Sequence, residues 1–361
     1  MNQPIYLLIA ILLLLTTCSF EPPPEPLQRP GYVLSGGNVG DGFRKNRLTI
    51  VDPETWQIHH TVRLPRSWAK NFARDPQGRL WIGFSGSFDK NDNRLHVYSP
   101  VGELLRETKP CANPEAGISF AGGRAFVACS EDGTQGKVIA ISLETLEVEQ
   151  EIPLMFPNST LLLISSAASE AGVIVAGLTS GPGETGYSII TIIDPQTLQI
   201  RAQLGPEEDV DIWQIIPKDE RFYLINVGSW RRPRELANDV LVLDPGRSPT
   251  LTPLVSSPSP LWGAIEGDML YTYHNPTWNQ ANSDPTRRIS RLDLKSGQKE
   301  TWLLPDEWNA SDLAIVDGQI VLTRWGERNE KDGLYTFDAV TGQMFLLVAV
   351  PEAGRLMVAP K

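Results

Sequence analysis

The stretch Asn46-Arg-Leu-Thr-Ile-Val-Asp-Pro-Glu-Thr-Trp-Gln-Ile-His-His-Thr-Val-Arg-Leu-Pro65 reads as strand, tight turn, strand. An alternating apolar run ends in Asp52-Pro53, a few turn-forming residues follow, and a second alternating run leaves toward a proline. Weakened copies recur to the C-terminus, centred on Val51-Asp52-Pro53, Tyr98-Ser99-Pro100, Ile141-Ser142-Leu143, Ile193-Asp194-Pro195, Leu243-Asp244-Pro245, Leu292-Asp293-Leu294 and Phe337-Asp338-Ala339. Their middle residues lie 43 to 52 residues apart, the length expected of one four-stranded propeller blade. Seven copies therefore predict an all-β, seven-bladed β-propeller.

The first copy is incomplete. Gly31 to Ser35, Asn46 to Val51 and Ile58 to Leu64 supply three strands, b to d, but a proline-rich segment stands where strand a belongs. At the far end, Arg355-Leu-Met-Val-Ala359 follows the last strand d with no strand b of its own. Pairing residues 354–360 with Gly31 to Ser35 would close the ring and remove two exposed edges. A repeat running from residue 31 to 361 reads as one closed domain, although the length alone would suggest two. In the second blade, Lys70 to Arg74, Arg79 to Phe84, Arg94 to Ser99 and Glu103 to Thr108 are strands a to d. In the third they are Ala116 to Phe120, Arg124 to Cys129, Lys137 to Ser142 and Glu147 to Ile152. Leu161 to Ser165, Ile212 to Ile216, Leu261 to Ile265 and Ser311 to Ile315 open the remaining four.

Residues 5–15 form an uncharged apolar run of eleven, too short to span a bilayer but suited to the hydrophobic region of a signal peptide. The run ends in Leu15-Thr16-Thr17-Cys18, which resembles the bacterial lipobox, with Thr17 in place of the usual Gly, Ala or Ser. The resemblance implies that residues 1–17 are removed and that Cys18 is fatty-acylated, with palmitate among the acyl groups. It places the protein in the cell envelope, at the outer membrane or the cell surface, tethered to the membrane by lipid. An ordinary signal peptide and an uncleaved anchor are the alternatives. Glu21 to Pro30 holds five prolines in ten residues. It should be extended, and as part of an 18–30 spacer would hold the domain roughly 30 Å off the lipid at about 3 Å per residue.

The Asp-Pro-x-Thr turns Asp52-Pro-Glu-Thr55 and Asp194-Pro-Gln-Thr197, with Thr341-Gly342 near the end, resemble those of the seven-bladed propellers of the YVTN-repeat and quinoprotein amine dehydrogenase-like superfamily. The resemblance implies the fold and leaves activity open, because these residues set turns.

A net charge of −11 argues against nucleic acid, which needs a basic face. No Gly-x-Ser-x-Gly elbow, His-Glu-x-x-His, phosphate loop or Cys-x-x-Cys is present, so the common nucleophile, zinc and nucleotide signatures are missing; no catalytic residue is singled out, and the cofactor is left open. Gluconolactonase-like propellers hold a divalent cation at the channel mouth. This chain offers only Asn71 and Asp312 at comparable positions, which is too few ligands for a metal site. His96 reads as a packing or surface residue and His274 as a solvent-facing loop residue. Cys111 precedes strand a of the third blade and Cys129 ends strand b. Because these strands run antiparallel, the two thiols should meet and form a disulfide in the exported protein, two buried free cysteines being the alternative.

The connections from b to c are the long ones, and in a propeller they emerge on the same face as those from d to a. They carry Arg231, Arg324, Trp278 and further arginines on one side of an acidic protein. At the start of strand a, ring positions taken as equivalent hold Asn71, Gly117, Leu162, Trp213, Trp262, Asp312 and Arg355. The expectation is an asymmetric pocket with Trp213, Trp262, Arg355, Asp312 and Asn71 on its walls, and Arg231, Trp278 and Arg324 at its rim. Tryptophan and arginine together suit an anionic or planar ligand. The favoured reading is a monomeric, non-catalytic, lipid-anchored propeller that binds a small molecule or a protein. A small-molecule hydrolase or lyase and an envelope assembly component are the alternatives.

Overall fold

The computed structural model describes residues 25–36, 46–85, 92–114, 116–131, 135–155, 160–180, 188–207, 210–227, 240–254, 260–275, 287–305, 308–324 and 331–360. They form seven four-stranded antiparallel sheets, the blades of a ring. Blade 1 is Ala353–Val358, Gly31–Ser35, Arg47–Asp52 and Gln57–Arg63, in the order a to d. Blade 2 is Ala69–Arg74, Leu80–Phe84, Leu95–Tyr98 and Leu104–Thr108. Blade 3 is Gly117–Ala121, Arg124–Glu131, Gln135–Ser142 and Val148–Leu154. Blade 4 is Thr160–Ser169, Gly172–Ser180, Ser188–Ile193 and Ile200–Glu207, its strand a reaching well beyond the expected Ser165. Blade 5 is Ile212–Lys218, Arg221–Asn226, Val240–Asp244 and Thr250–Leu254. Blade 6 is Pro260–Glu266, Met269–His274, Arg288–Asp293 and Lys299–Leu303, and blade 7 is Ala310–Val316, Gln319–Arg324, Gly333–Asp338 and Gln343–Ala349.

The core lies between blades. Strands b such as Gly31–Ser35 and Leu80–Phe84 are buried throughout because a neighbouring blade covers each face, whereas strands d such as Leu104–Thr108 are largely exposed. Leu80, Ile82 and Phe84 of blade 2 pack on Tyr32, Leu34 and Leu48 of blade 1, and Val33 and Val51 pack on Val321 and Leu334 of blade 7. The turns from c to d are built by their aspartates. Asp52 Oδ1 accepts the N–H of Glu54 and Oδ2 the hydroxyl of Thr55. Asp194, Asp293 and Asp338 each accept two N–H groups in the same way. In blades 2 and 3 the hydroxyls of Ser99 and Ser142 accept backbone N–H groups in the same place, so a short side-chain acceptor that folds its own turn marks each repeat, an aspartate in five of the seven.

The ring closes as the sequence predicts, since Ala353–Val358 pairs with Gly31–Ser35. Asp312 of blade 7 accepts the N–H of Leu356 at 3.0 Å, Thr323 donates to Gly354 O at 2.6 Å, and Ala359 N–H donates to Pro30 O at 3.0 Å. Cys111 and Cys129 form a disulfide within blade 3. It fixes the chain before strand a, where the Pro114 carbonyl presses on Gly83 of blade 2 so closely that a Cβ at residue 83 would overlap it.

Residues 25–30, expected as free spacer, lie against the ring. Leu27 packs beside the cluster shared by blades 1 and 2, His59 Nε2 meets Glu25 O at 2.9 Å, and Arg29 bonds to Ala359 O and pairs with Asp317 at 2.6 Å. Asp317 sits in an a-to-b turn, so this segment approaches on the face of the a-to-b and c-to-d turns. Cys18 lies outside the described residues, and no helix among the described residues is long and apolar enough to cross a membrane.

Candidate functional site

Six strands a carry a β-bulge near their first residues: between Ala69 and Asn71, Leu163 and Ser165, Ile212 and Gln214, Pro260 and Trp262, Ala310 and Asp312, and at Gly354 opposite Leu34 and Ser35. A bulge adds one unpaired residue and re-aims those beside it. The residues at equivalent ring positions are therefore Asn71, Ser165, Gln214, Trp262, Asp312 and Arg355. This corrects the sequence reading at two blades. Leu162 is 40% exposed and belongs to no such position, and Trp213 is itself the bulged residue, with Gln214 holding the equivalent place.

These strand starts surround a cavity of about 250 Å³ on the ring axis. Its wall includes Asn71 and Phe72 from blade 2, Gly117 from blade 3, Ser165 and Ser166 from blade 4, Trp213 and Gln214 from blade 5, Trp262 from blade 6 and Arg355 from blade 1. The rings of Trp213 and Trp262 meet edge to face, 6.4 Å apart at 70°, and form a corner. Each indole N–H is held, Trp213 by Asp211 Oδ2 at 3.2 Å and Trp262 by Ala310 O at 3.2 Å. Gln214 is locked by two bonds to the Gly263 backbone, 3.0 and 2.8 Å. Arg355 lays its guanidinium over Trp262, 4.5 Å from the ring centroid. The wall is thus rigid before any ligand arrives. Gly117 lets blade 3 approach blade 4 here, because a Cβ at this position would overlap Ser166.

Four of the expected wall residues, Trp213, Trp262, Arg355 and Asn71, come together at this cavity. Asp312 does not line it. Its carboxylate is 5% exposed, accepts the N–H groups of Leu313 and Leu356, and lies 3.6 Å from Arg355 Nε. It supports the arginine from beneath, and burial raises its pKa above the ordinary carboxylate value. Arg324 is not at the rim, being buried at the end of strand b of blade 7 and stacked on Trp308 at 4.4 Å. A strand b is covered by neighbouring blades, so its side chain goes between them. Arg231 and Trp278 lie outside the described residues. His274, expected in a loop, ends strand b of blade 6, fully buried and bonded to Thr272 and Ser290. His96 is also buried, against Tyr98 and Glu107. Among the described residues no group of three or more His, Cys, Asp or Glu gathers as a metal site.

Sequence reasoning missed Asp211. This residue is 7% exposed, its Oδ1 has no hydrogen-bond partner, and burial pushes its pKa from 3.8 to about 6 against the opposing bond from Trp213. The folded state then holds a proton that the unfolded state has lost between pH 4 and 6, so this group makes the fold less stable as pH rises through that window. The difference amounts to ~3 kcal/mol above pH 6. Asp211→Asn keeps the acceptor for Trp213 and removes the charge. It is expected to raise the melting temperature by several degrees at pH 8 and to leave it nearly unchanged at pH 4, as thermal unfolding at the two pH values would show. An equal change at both would contradict this assignment.

No protein-family model matches the chain, and no curated protein matches it. Solved structures do match across most of its length. A protein from Bacteroides fragilis NCTC 9343, provisionally assigned as a 6-phosphogluconolactonase, is 11% identical with a TM-score of 0.63, covering 93% of this chain and 100% of that one. Kuenenia stuttgartiensis hydrazine synthase is 13% identical with a TM-score of 0.57, covering 85% and 90%. Apo AztD from Citrobacter koseri is 12% identical with a TM-score of 0.53, covering 92% and 98%. At such identities the likeness is one of fold, and it agrees with the propeller built up above from the repeat.

Proposed function

We propose that this chain is a lipid-anchored propeller of the cell envelope, akin to the YVTN-repeat and quinoprotein amine dehydrogenase-like group, that binds a small ligand in its axial cavity without transforming it. The observation that carries the binding reading is the pre-set corner of Trp213 and Trp262 with Arg355 stacked on one of its faces, at the mouth of a cavity on the ring axis. Aromatic walls with a few converging polar groups are the general form of a small-molecule site. Residues 25–30 run along the opposite face, so an anchor at Cys18 would present the cavity mouth away from the lipid. Its reach would be set by residues 18–24, at most about 25 Å when extended.

A thermal-shift screen of the mature protein against a mixed panel of carboxylates, phosphates, sugars and nucleosides tests the reading. At a ligand concentration of about a hundred times Kd the expected stabilisation is ~2.7 kcal/mol. At least one compound should shift the melting temperature of the wild type and fail to shift that of Trp262→Ala. A panel without any shift would count against a small-molecule ligand. Fatty-acid labelling lost in Cys18→Ala would support the anchor, and labelling absent from the wild type would remove it.

A further inference from the structure

We infer, building on that binding reading, that the cavity selects a small monocarboxylate with a flat, unsaturated body, and that it rejects phosphate esters. The charge inventory of the wall decides this. Arg355 is the one cation among the described wall residues, and its charge is already shared with Asp312 at 3.6 Å. A phosphate ester approaches two negative charges at neutral pH and is ordinarily held by several cations or by a cluster of backbone N–H groups. A single carboxylate needs one guanidinium fork.

The fork is available. Among the described residues the guanidinium of Arg355 makes no hydrogen bond, since its contact with Asp312 is an ion pair too long to be one and its face is taken by Trp262. Its side chain is about a quarter exposed and stands on the cavity wall. An arginine held from below and stacked on one face has its N–H edge left for a planar, bidentate partner. The ring of Trp213, set at 70° to that of Trp262, offers a second apolar face to the body of such a ligand. Across the ring, in blade 4, Ser165 and Ser166 stand on the same wall, so the side opposite the arginine is lined by small, uncharged residues. A cavity of about 250 Å³ limits the body to roughly one ring.

Calorimetry with phenylacetate, phenylacetamide and phenyl phosphate tests this on the mature protein, on Arg355→Gln and on Trp262→Ala. The expected result is binding of phenylacetate at least tenfold tighter than of the amide or the phosphate ester, with the tenfold advantage erased in Arg355→Gln. Circular dichroism of Arg355→Gln checks that the closing strand is intact, and Arg355→Lys, which keeps the charge without the fork, is expected to recover only part of the preference. Tighter binding of the phosphate ester overturns the carboxylate assignment while leaving the binding cavity in place. Equal binding of acid and amide that is lost in Trp262→Ala but kept in Arg355→Gln does the same. Absence of binding by all three probes and by the wider panel overturns both readings.

Discussion

Deletion of residues 353–361 is expected to abolish the soluble, cooperatively unfolding protein. The deleted strand is the innermost strand of blade 1, and its loss leaves Gly31–Ser35 as an unpaired edge whose residues are buried in the intact ring. It also empties the place of Ala353, Leu356 and Ala359 between blades 7 and 1. Asp312 loses the N–H of Leu356 and is left as a buried carboxylate with fewer donors, a costly state in its own right. The milder Leu356→Ala is expected to destabilise by about 2–5 kcal/mol, as large-to-small changes at buried leucines do. Soluble yield and thermal unfolding check both variants. A truncated protein that melts at the wild-type temperature would show that the ring does not depend on this closure.

The second large effect concerns the disulfide. Cys111 and Cys129 are separated by 18 positions, and a loop of that length contributes about 3 kcal/mol by restricting the unfolded chain. The double variant Cys111→Ser, Cys129→Ser should therefore lose about that much, a fall of melting temperature on the order of 5 °C. The wild type should lose a similar amount when the bond is reduced, and the serine variant should not respond to reductant. Both cysteines are buried in the cluster between blades 2 and 3, so the serine hydroxyls add their own cost, and Cys→Ala at the same sites separates the two contributions. Two reactive thiols in oxidised, denatured wild-type protein would refute the bond.

The ring and its closure were legible in the sequence for a local reason. Each c-to-d turn is made by one aspartate, or in blades 2 and 3 one serine, bonding to the next few backbone groups, so the turn leaves a mark that survives without tertiary context. A strand left over at one end and a strand missing at the other then admit one pairing. The disulfide was legible because antiparallel strands bring the start of one near the end of the next.

The wall of the cavity was only half legible, because the bulges that aim it leave no trace in polarity. In blade 5 the order Ile212-Trp-Gln-Ile gives no sign that Trp213 is the extra residue and Gln214 the paired one. Leu162 and Ser165 differ by an odd number of positions, and in blade 4 the alternation around the bulge does not choose between them. Arg324 and His274 misled for the opposite reason. Both are polar residues next to a long connection, yet both end strands b, where a cation stacked on Trp308 and a histidine bonded to Thr272 and Ser290 are compatible with burial. Residues 25–30 looked like spacer because, of their side chains, Leu27 and Arg29 do the anchoring, while the contacts of Glu25 and Pro30 run through backbone carbonyls that carry no sequence signal.

The most direct test of the account is a crystal structure of the mature protein soaked with the tightest-binding carboxylate of the panel. The account predicts density for the ligand on the ring axis, its body in the corner of Trp213 and Trp262 and its carboxylate on the guanidinium edge of Arg355. Ligand density between blades or on the face of the c-to-d turns, with the axial cavity holding only water, would contradict it.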